Sequence, residues 1–311
     1  MRMDALTLKQ LRALQAVAAQ GSLTGAAEVL GQTTPAIHSQ IKNMEVALGR
    51  PVLVRGAEGG RSQLTPDGAE MLRAADRIEA ILSQAASQMT ARSTGRIGHV
   101  VLSVVSTAKY FAPRLVRLLN ESCPEIEIAL RVGNREAVIA DLDQGRCAMA
   151  VMGRPPRMPD LRSVPLGPHP HGIILPPDHP LAGKDGYDPA ALLAETFLCR
   201  EPGSGTRILM QRFLDRLTGS QPARLVEMDS NETIKQAVLA GLGIAFLSLH
   251  TVYEELRAGR LVTLAGPQLP VMRHWYLVAP GHVAQSAVAD RISTEIVALN
   301  GTYLPPAALS G

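Results

Sequence analysis

Cysteine is scarce in this chain. Cys123, Cys147 and Cys199 are odd in number, far apart and without the CxxC spacing of a zinc site. They read as free thiols of a reducing compartment and exclude a disulfide frame. Long apolar runs are missing too: none approaches the roughly 20 residues that a membrane-spanning helix requires. The hydrophobic content of 46% therefore belongs to globular cores, and a chain of 311 residues has room for two or three. The opening MRMDALTLKQ carries an early acid and lacks the basic-then-apolar layout of a secretory signal, so the expected address is cytoplasmic. No membrane partner is expected.

An excess of one charge is likewise lacking. The net charge of +3 is too small to argue for nucleic-acid binding by itself. Its location is more informative. Residues 1–65 hold seven basic groups (Arg2, Lys9, Arg12, Lys42, Arg50, Arg55, Arg61) against four acids (Asp4, Glu28, Glu45, Glu58), an excess equal to that of the whole chain.

Enzyme signatures are absent as well. GSGTRI lacks the third glycine of a dinucleotide fingerprint, and GLGIAF precedes an apolar run where a phosphate loop would precede a helix. Asp141 and Asp143 lie two apart on a helix and do not face each other. His169-Pro170-His171 and His179 stand among prolines, which reads as a loop and not as a metal site. Neither a cofactor nor a metal is expected, and no nucleophile–base spacing emerges.

What is present starts at Thr33–Leu48, TTPAIHSQIKNMEVAL. Thr33 and Thr34 can cap a helix whose first turn accepts Pro35. Ala36, Ile37, Ile41, Met44 and Leu48 recur at the stride of one buried face. His38, Ser39, Lys42 and Asn43 occupy the other face, as short or cationic groups able to reach phosphates and base edges. Upstream, Ser22 opens SLTGAAEVL, where Ala26-Ala27 permits close helix approach and Gly31-Gln32 makes the break. A short helix, a tight turn and a second helix with a polar outer face suit the major groove. An amphipathic segment over 5–19 supplies a third helix. PVLVRGAEGGRSQLTP reads as a two-stranded wing with Arg55 and Arg61 placed for backbone phosphates. The expected DNA-contacting set is Ser22, Gln32, Thr33, Thr34, Pro35, Ala36, His38, Ser39, Lys42, Arg55 and Arg61.

Thr65-Pro66-Asp67 then starts a long helix. Met71, Ala75, Ile78, Leu82, Ala85 and Met89 step by fours and threes along it, the seam of a coiled coil. With no later helix of its own chain to face, that seam predicts a second copy, hence a homodimer or an even-numbered assembly. ARSTGRIG at 91–98 reads as a hinge. From His99 onward strand-like runs (100–105, 126–132, 148–152) alternate with helical ones (111–121, 135–144), the pattern of a parallel sheet with covering helices. A second set follows, with strands at 172–175, 197–199, 225–228 and 244–247 and helices at 206–217 and 232–240. Residues 275–279 and a helix over 285–299 return to the first set.

The expected fold class is α/β. An N-terminal all-α winged helix-turn-helix (1–65) and a linker helix (66–90) precede a two-lobed α/β effector-binding domain of periplasmic-binding-protein-like architecture (99–311). Lobe I covers about 99–168 and 271–300, and lobe II about 169–270. Cleft-facing strand ends and helix starts are where ligands of such sheets sit. The expected set is Ser106, Thr107, Lys109, Asn134, Arg135 and Arg154 from lobe I. From lobe II come Arg200, Glu201, Gly203, Ser204, Gly205, Thr206, Asn231 and Glu232. Cations beside helix N-termini favour a phosphate or carboxylate ligand. A two-lobed solute-binding protein would have no use for residues 1–90, and a purely architectural DNA binder none for the second half.

LRALQAVAAQGSLTGAAEVLGQTTPAIHSQIKNMEVALGRPVLVR followed by LTPDG resembles the LysR-type transcriptional regulators over nearly the whole chain. VSTAKYFAPRL (105–115), VGNREAVIADL (132–142) and AVMGRPP (150–156) are similar to the CbbR-type regulators of Calvin-cycle operons. The resemblance implies a homotetramer built as a dimer of dimers and an activator working with RNA polymerase. It implies an effector from the class of sugar phosphates, phosphoenolpyruvate, ATP or NADPH. The chain departs from the family at Thr34 and Ser39, where a long polar or basic pair is usual, and at His38, where serine is frequent. A guanidinium-to-guanine contact from position 39 is thereby lost.

Overall fold

The structure, a computed structural model, describes residues 2–55, 61–93, 96–157, 161–217, 223–281 and 286–306. The chain divides into two compact units, the first running to Ala86 and taking in Asp143–Arg146, the second comprising the remainder.

In the first unit, α1 (Leu8–Gln20) begins with a capping box. Gln10 N–H donates to Thr7 Oγ1, and Thr7 N–H donates to Gln10 Oε1 at 2.9 Å. Ser22 Oγ caps α2 (Leu23–Leu30), and Thr33 Oγ1 caps α3 (Thr34–Leu48). Between them Gly31 turns at φ 61°, a left-handed conformation that ends α2 and starts the second helix within three residues. Leu11, Leu14, Val17, Ala26, Ala27, Ile37, Ile41 and Met44 form one core where the three helices meet. Leu8, at the start of α1, is exposed.

The wing is an antiparallel pair, β1 (Leu53–Arg55) and β2 (Ser62–Leu64). Its tip, Gly56–Gly60, and the Arg55 side chain lie outside the described residues. Thr65 then accepts from Gly68 N–H and donates to Pro51 O, fixing the start of α4 (Pro66–Ser93). This helix has 28 residues, about 42 Å long at the usual rise. It continues three residues into the segment expected to be a hinge. Its apolar seam is divided. Met71, Leu72 and Ala75 pack on the helix-turn-helix core, whereas Ile78, Ile81, Leu82 and Met89 are exposed, Met89 to 71%. The expectation of one continuous seam for a second copy is corrected accordingly: its first turns are used within the chain.

The second unit holds a nine-stranded sheet. Lobe I contributes β3 (Gly98–Val105), a 3-10 turn Ser106–Tyr110, α5 (Ala112–Ser122), β4 (Ile126–Gly133), α6 (Arg135–Asp143) and β5 (Met149–Met152). The long β6 (Leu161–Leu175) crosses to lobe II, which adds α7 (Pro189–Leu193), β7 (Thr196–Arg200), α8 (Gly205–Leu214), β8 (Arg224–Met228), α9 (Asn231–Leu239) and β9 (Ile244–Ser248). After a 3-10 turn Leu249–Thr251 come α10 (Tyr253–Arg257) and β10 (Val262–Thr263). Then β11 (Val271–Pro280) returns, and α11 (Ala287–Ala298) packs on lobe I.

The order is β4-β3-β5-β11-β6-β9-β7-β8, with β10 beside β6. Within each lobe the βα units pair in parallel, and β6 and β11 run antiparallel between the lobes. Lobe I has one core, including Leu102, Leu115, Ile126, Trp275 and Ile292. Lobe II has a core on each face of its sheet. Phe197 and Cys199 point to one and Leu198 to the other, the two-residue alternation of a strand covered on both sides.

The histidine–proline run expected as a loop is strand. Pro165, Pro168 and Pro170 sit where β6 has β11 on one edge, and β9 joins the other edge only from His171 to Ile174. A proline there forfeits no ladder hydrogen bond. All three cysteines are buried, and among the described residues none is joined in a disulfide. Among the described residues no helix is long and apolar enough to cross a membrane.

Candidate DNA-reading face and ligand cavity

On α3, Ile37, Ile41, Met44 and Ala47 are buried against the three-helix core. That packing turns Pro35, His38, Ser39, Lys42 and Asn43 outward, with Gln32 and Thr33 exposed at the helix entrance. Thr34 and Ala36 are half-buried. Ser22 is half-buried and its hydroxyl accepts from Gly25 N–H, so this side chain is engaged as a cap. Arg61 is exposed, its side chain lying by Gly21. Among the described residues, no ion pair engages His38, Lys42 or Arg61. The face is therefore polar, cationic and unneutralised, the chemistry that phosphate oxygens select.

The second unit contains a cavity of about 760 Å³ where the lobes meet. From lobe I it is walled by Ser106 and Thr107 at the end of β3, Arg135 and Glu136 at the start of α6, and Arg154 after β5. From lobe II come Gly203, Ser204, Gly205 and Thr206 at the start of α8, and further along that helix Ile208, Leu209 and Arg212. The crossing strands add His169, His171, Arg273 and Tyr276. Eight of the expected ligand-site residues thus share one wall: Ser106, Thr107, Arg135, Arg154, Gly203, Ser204, Gly205 and Thr206.

Charge in this cavity is lopsided. Arg135, Arg154, Arg212 and Arg273 line it with Glu136 as the acidic lining residue, and among the described residues none of the four has a carboxylate within ion-pair distance. Burial, reinforced by the neighbouring Arg154 and Arg212 guanidiniums, pushes Arg135 below the ordinary arginine value. The helix α8 opens on Ser204, which makes no side-chain cap, so the orphan N–H groups of its first turn add positive potential. His169 and His171 are wholly buried. Burial above all drives His171 down to about 3, with His250 and Arg273 adding and its bond to His169 O opposing. Burial likewise holds His169 well below the usual histidine range, helped by His171 and His250. Both are neutral imidazoles at physiological pH. The arrangement is built to receive an anion, with uncharged donors and acceptors along the crossing strands.

Lys109, Asn134, Arg200, Glu201, Asn231 and Glu232, expected at the ligand site, lie outside this cavity wall. For Arg200 the reason is explicit. It is 3% exposed, and its guanidinium forks Glu201 (Nε to Oε2 2.7 Å, Nη2 to Oε1 2.9 Å). The remaining nitrogen, Nη1, donates to Ser106 Oγ at 3.0 Å and Asn231 Oδ1 at 2.6 Å. Four of its five N–H groups are thus spent inside the protein. Asn134 Nδ2 donates to Glu201 Oε1 at 3.4 Å, and Glu232 pairs with Lys235 at 3.0 Å while accepting from Tyr110 Oη at 3.1 Å.

Sequence reasoning missed Glu136, His169, His171, Arg212, Arg273 and Tyr276. One signal was available: Gly205, Ile208, Leu209 and Arg212 fall at i, i+3, i+4 and i+7, one face of α8. The β6 residues His169 and His171 offered none, because prolines hid that stretch of strand.

A winged helix-turn-helix with an open cationic face, in one chain with a two-lobed module enclosing an anion-suited cavity, defines a ligand-responsive DNA-binding regulator. The comparisons with known proteins narrow this. The profile described as "Bacterial regulatory helix-turn-helix protein, lysR family" matches residues 8–69, and "LysR substrate binding domain" matches residues 93–298. The chain belongs to the LysR family of transcriptional regulators. It is 60% identical to the HTH-type transcriptional regulator CbbR of Cereibacter sphaeroides, over 98% of this chain and 99% of that protein. It is 44% identical to CbbR of Xanthobacter flavus, over 88% of this chain and 81% of that protein. The regulatory domain of CcmR from Synechocystis PCC6803, solved in complex with 2-PG, is 34% identical with a TM-score of 0.61, over 66% of this chain and 98% of that one.

Proposed function

We propose that the chain regulates transcription of a carbon-fixation (Calvin-cycle) operon, as an activator, in response to an anionic metabolite held between the two effector lobes. The observation that carries this is the cavity with four arginines and no carboxylate paired to any of them among the described residues. The 60% identity to a CbbR regulator supports the choice of operon. The metabolite class is sugar phosphates, phosphoenolpyruvate, ATP or NADPH, and its walls are Ser106, Thr107, Arg135, Arg154 and Gly203–Thr206.

The DNA reader is α3, inserted in the major groove. His38, Ser39 and Lys42 are the outward contacts, Gln32, Thr33, Thr34, Pro35 and Ala36 lie at the helix entrance, and Ser22, Arg55 and Arg61 serve the backbone. Two-fold pairing runs through the exposed half of α4, giving a homodimer or homotetramer in the cytoplasm that acts on RNA polymerase at the promoter. Ligand binding shifts the population between lobe angles.

The test has two parts. A gel shift on the fragment upstream of the neighbouring divergent gene is expected to show specific retardation. Thermal shift with ribulose bisphosphate, phosphoenolpyruvate, ATP and NADPH is expected to raise the melting temperature for at least one. Failure to retard promoter DNA at low ionic strength, with and without these compounds, overturns the reading.

A further inference from the structure

Two polar strips join the lobes beside the cavity. In the first, Arg200 of lobe II reaches Ser106 of lobe I, and Asn134 of lobe I reaches Glu201 of lobe II. In the second, Tyr110 of lobe I donates to Glu232 of lobe II, which shares Lys235 with Glu255 at 3.0 Å on each side. The Lys235 ammonium also lies 5.7 Å from the Tyr110 ring centroid. Arg200, Lys235 and Glu255 are buried charges and Asn231 a buried amide, removed from water and matched to specific partners. Ser106 alone belongs to both a strip and the cavity wall.

Separating the lobes would break the Tyr110–Glu232, Arg200–Ser106 and Asn134–Glu201 bonds together. It would leave Arg200, a buried cation, with only the partners of its own lobe. Charged hydrogen bonds of this kind are expensive to leave unmade. The strips therefore favour one lobe angle over others.

We infer that Arg200 and Tyr110 are positioning residues for ligand response: they hold the lobes at the angle at which the cavity closes, without touching the ligand. This rests on the cavity being the effector site. A residue of this kind changes the fraction of molecules competent to bind, so every ligand loses affinity by the same factor. A residue that contacts the ligand changes the ranking of ligands instead. Arg212, on the cavity wall, is the contrast.

The experiment uses the full-length protein and its Tyr110→Phe, Arg200→Lys and Arg212→Met variants. Calorimetric titration uses ribulose bisphosphate and phosphoenolpyruvate as probes. Hydrogen exchange is followed without any probe at residues 106–110, 134–136 and 231–235. Tyr110→Phe loses one interlobe hydrogen bond and is expected to weaken both probes equally, by about 3- to 10-fold. It is also expected to speed exchange in both strips. Arg200→Lys keeps the charge, loses the fork and is expected to do the same. Arg212→Met is expected to weaken the two probes unequally and leave exchange in the strips unchanged. Unchanged probe affinity in Tyr110→Phe, unequal factors for the two probes, or faster exchange confined to residues 106–110 would each overturn the inference. If the parent binds neither probe, the effector reading has failed, and the exchange pattern alone decides whether the strips act together.

Discussion

Trp275 donates its indole N–H to His250 Nδ1 at 3.1 Å and stacks on His169 with ring centroids 3.7 Å apart. The bond requires a lone pair on Nδ1, so His250 carries its proton on Nε2 and is neutral. Burial agrees, pulling His250 down to about 4 from an ordinary value of 6.5.

The sign of the pH dependence follows. The unfolded chain takes up a proton at His250 below pH 6.5, and the folded chain does so only near pH 4. The stability contributed by the neutral imidazole is complete above 6.5 and is lost as pH falls toward 4, at about 1.4 kcal/mol per pH unit at most. His250→Asn offers an amide oxygen to the indole and does not titrate. Its stability is expected to fall less steeply than the parent's between pH 6.5 and 4, measured by urea unfolding at a series of pH values. Parallel curves would show that His250 does not stay neutral. His171, with its value near 3, leaves a residual slope in both proteins.

Gly68 makes a second prediction, for the joint between wing and linker helix. A Cβ there would fall 2.0 Å from Val52 O, a backbone atom that cannot swing aside. Val52 O is already fixed by accepting from Thr65 N–H at 3.1 Å. Gly68→Ala is expected to cost about 2–4 kcal/mol of stability through overpacking. The midpoint of chemical unfolding reads this directly, and no change would mean that the wing yields.

Most of the fold was legible because its signals are local. The caps at Thr33 and Ser22, the Gly31 break and the four-and-three stride of Ile37, Ile41 and Met44 each act within a few residues; most helix ends lie within two positions of expectation, with one end each of α1, α4 and α8 off by three. The parallel strands of both lobes announced themselves as apolar runs. What stayed hidden depends on distant partners. The part of β6 around His169-Pro170-His171 reads as a loop because prolines normally interrupt strands, whereas its end at 172–175 reads correctly as strand; only one-sided pairing with β11 makes the prolines harmless. Arg200 and Arg154 look alike in sequence. The former is sheltered between Glu201, Ser106 and Asn231, whereas the latter faces the cavity with no acid beside it among the described residues. The helix stride of α4 could not reveal that Ala75 is buried on its own domain while Met89 is not.

Lys42, exposed on the outer face of α3, is expected to neutralise a phosphate. Lys42→Ala should then weaken binding to specific and unrelated duplexes alike. The slope of log K against log salt should become shallower by about one unit. A fluorescence titration over a range of salt concentrations measures this, and an unaltered slope removes Lys42 from the contact set.

Leu82 is exposed on the part of α4 beyond its contact with the helix-turn-helix core. Because it is exposed, Leu82→Glu should alter the stability of the isolated fold by no more than about 0.5 kcal/mol. Its expected effect is on assembly: a charge in the pairing seam moves the sedimentation profile to smaller species. Identical profiles for parent and variant at micromolar concentration would place the self-association surface elsewhere.

Arg212 and Glu136 carry opposite charges on the same cavity wall, and their removal should have opposite effects. Arg212→Met keeps most of the aliphatic stem on α8 and removes the guanidinium, so an anion loses one charge-assisted partner with little change to the helix. A bond of that type contributes roughly 1.5–3 kcal/mol, so a ligand that engages it should bind at least about tenfold more weakly. Glu136→Gln takes away the acidic lining residue and its repulsion, and the same anion should bind more tightly. Neither side chain belongs to the DNA-reading unit, so affinity for promoter DNA without metabolite should match the parent in both variants. Thermal shift with ribulose bisphosphate and with phosphoenolpyruvate, paired with a gel shift, gives both readouts. The expected outcome is a smaller ligand-induced rise for Arg212→Met and a larger one for Glu136→Gln. Shifts in the same direction for the two variants would mean that net charge does not govern what this cavity accepts.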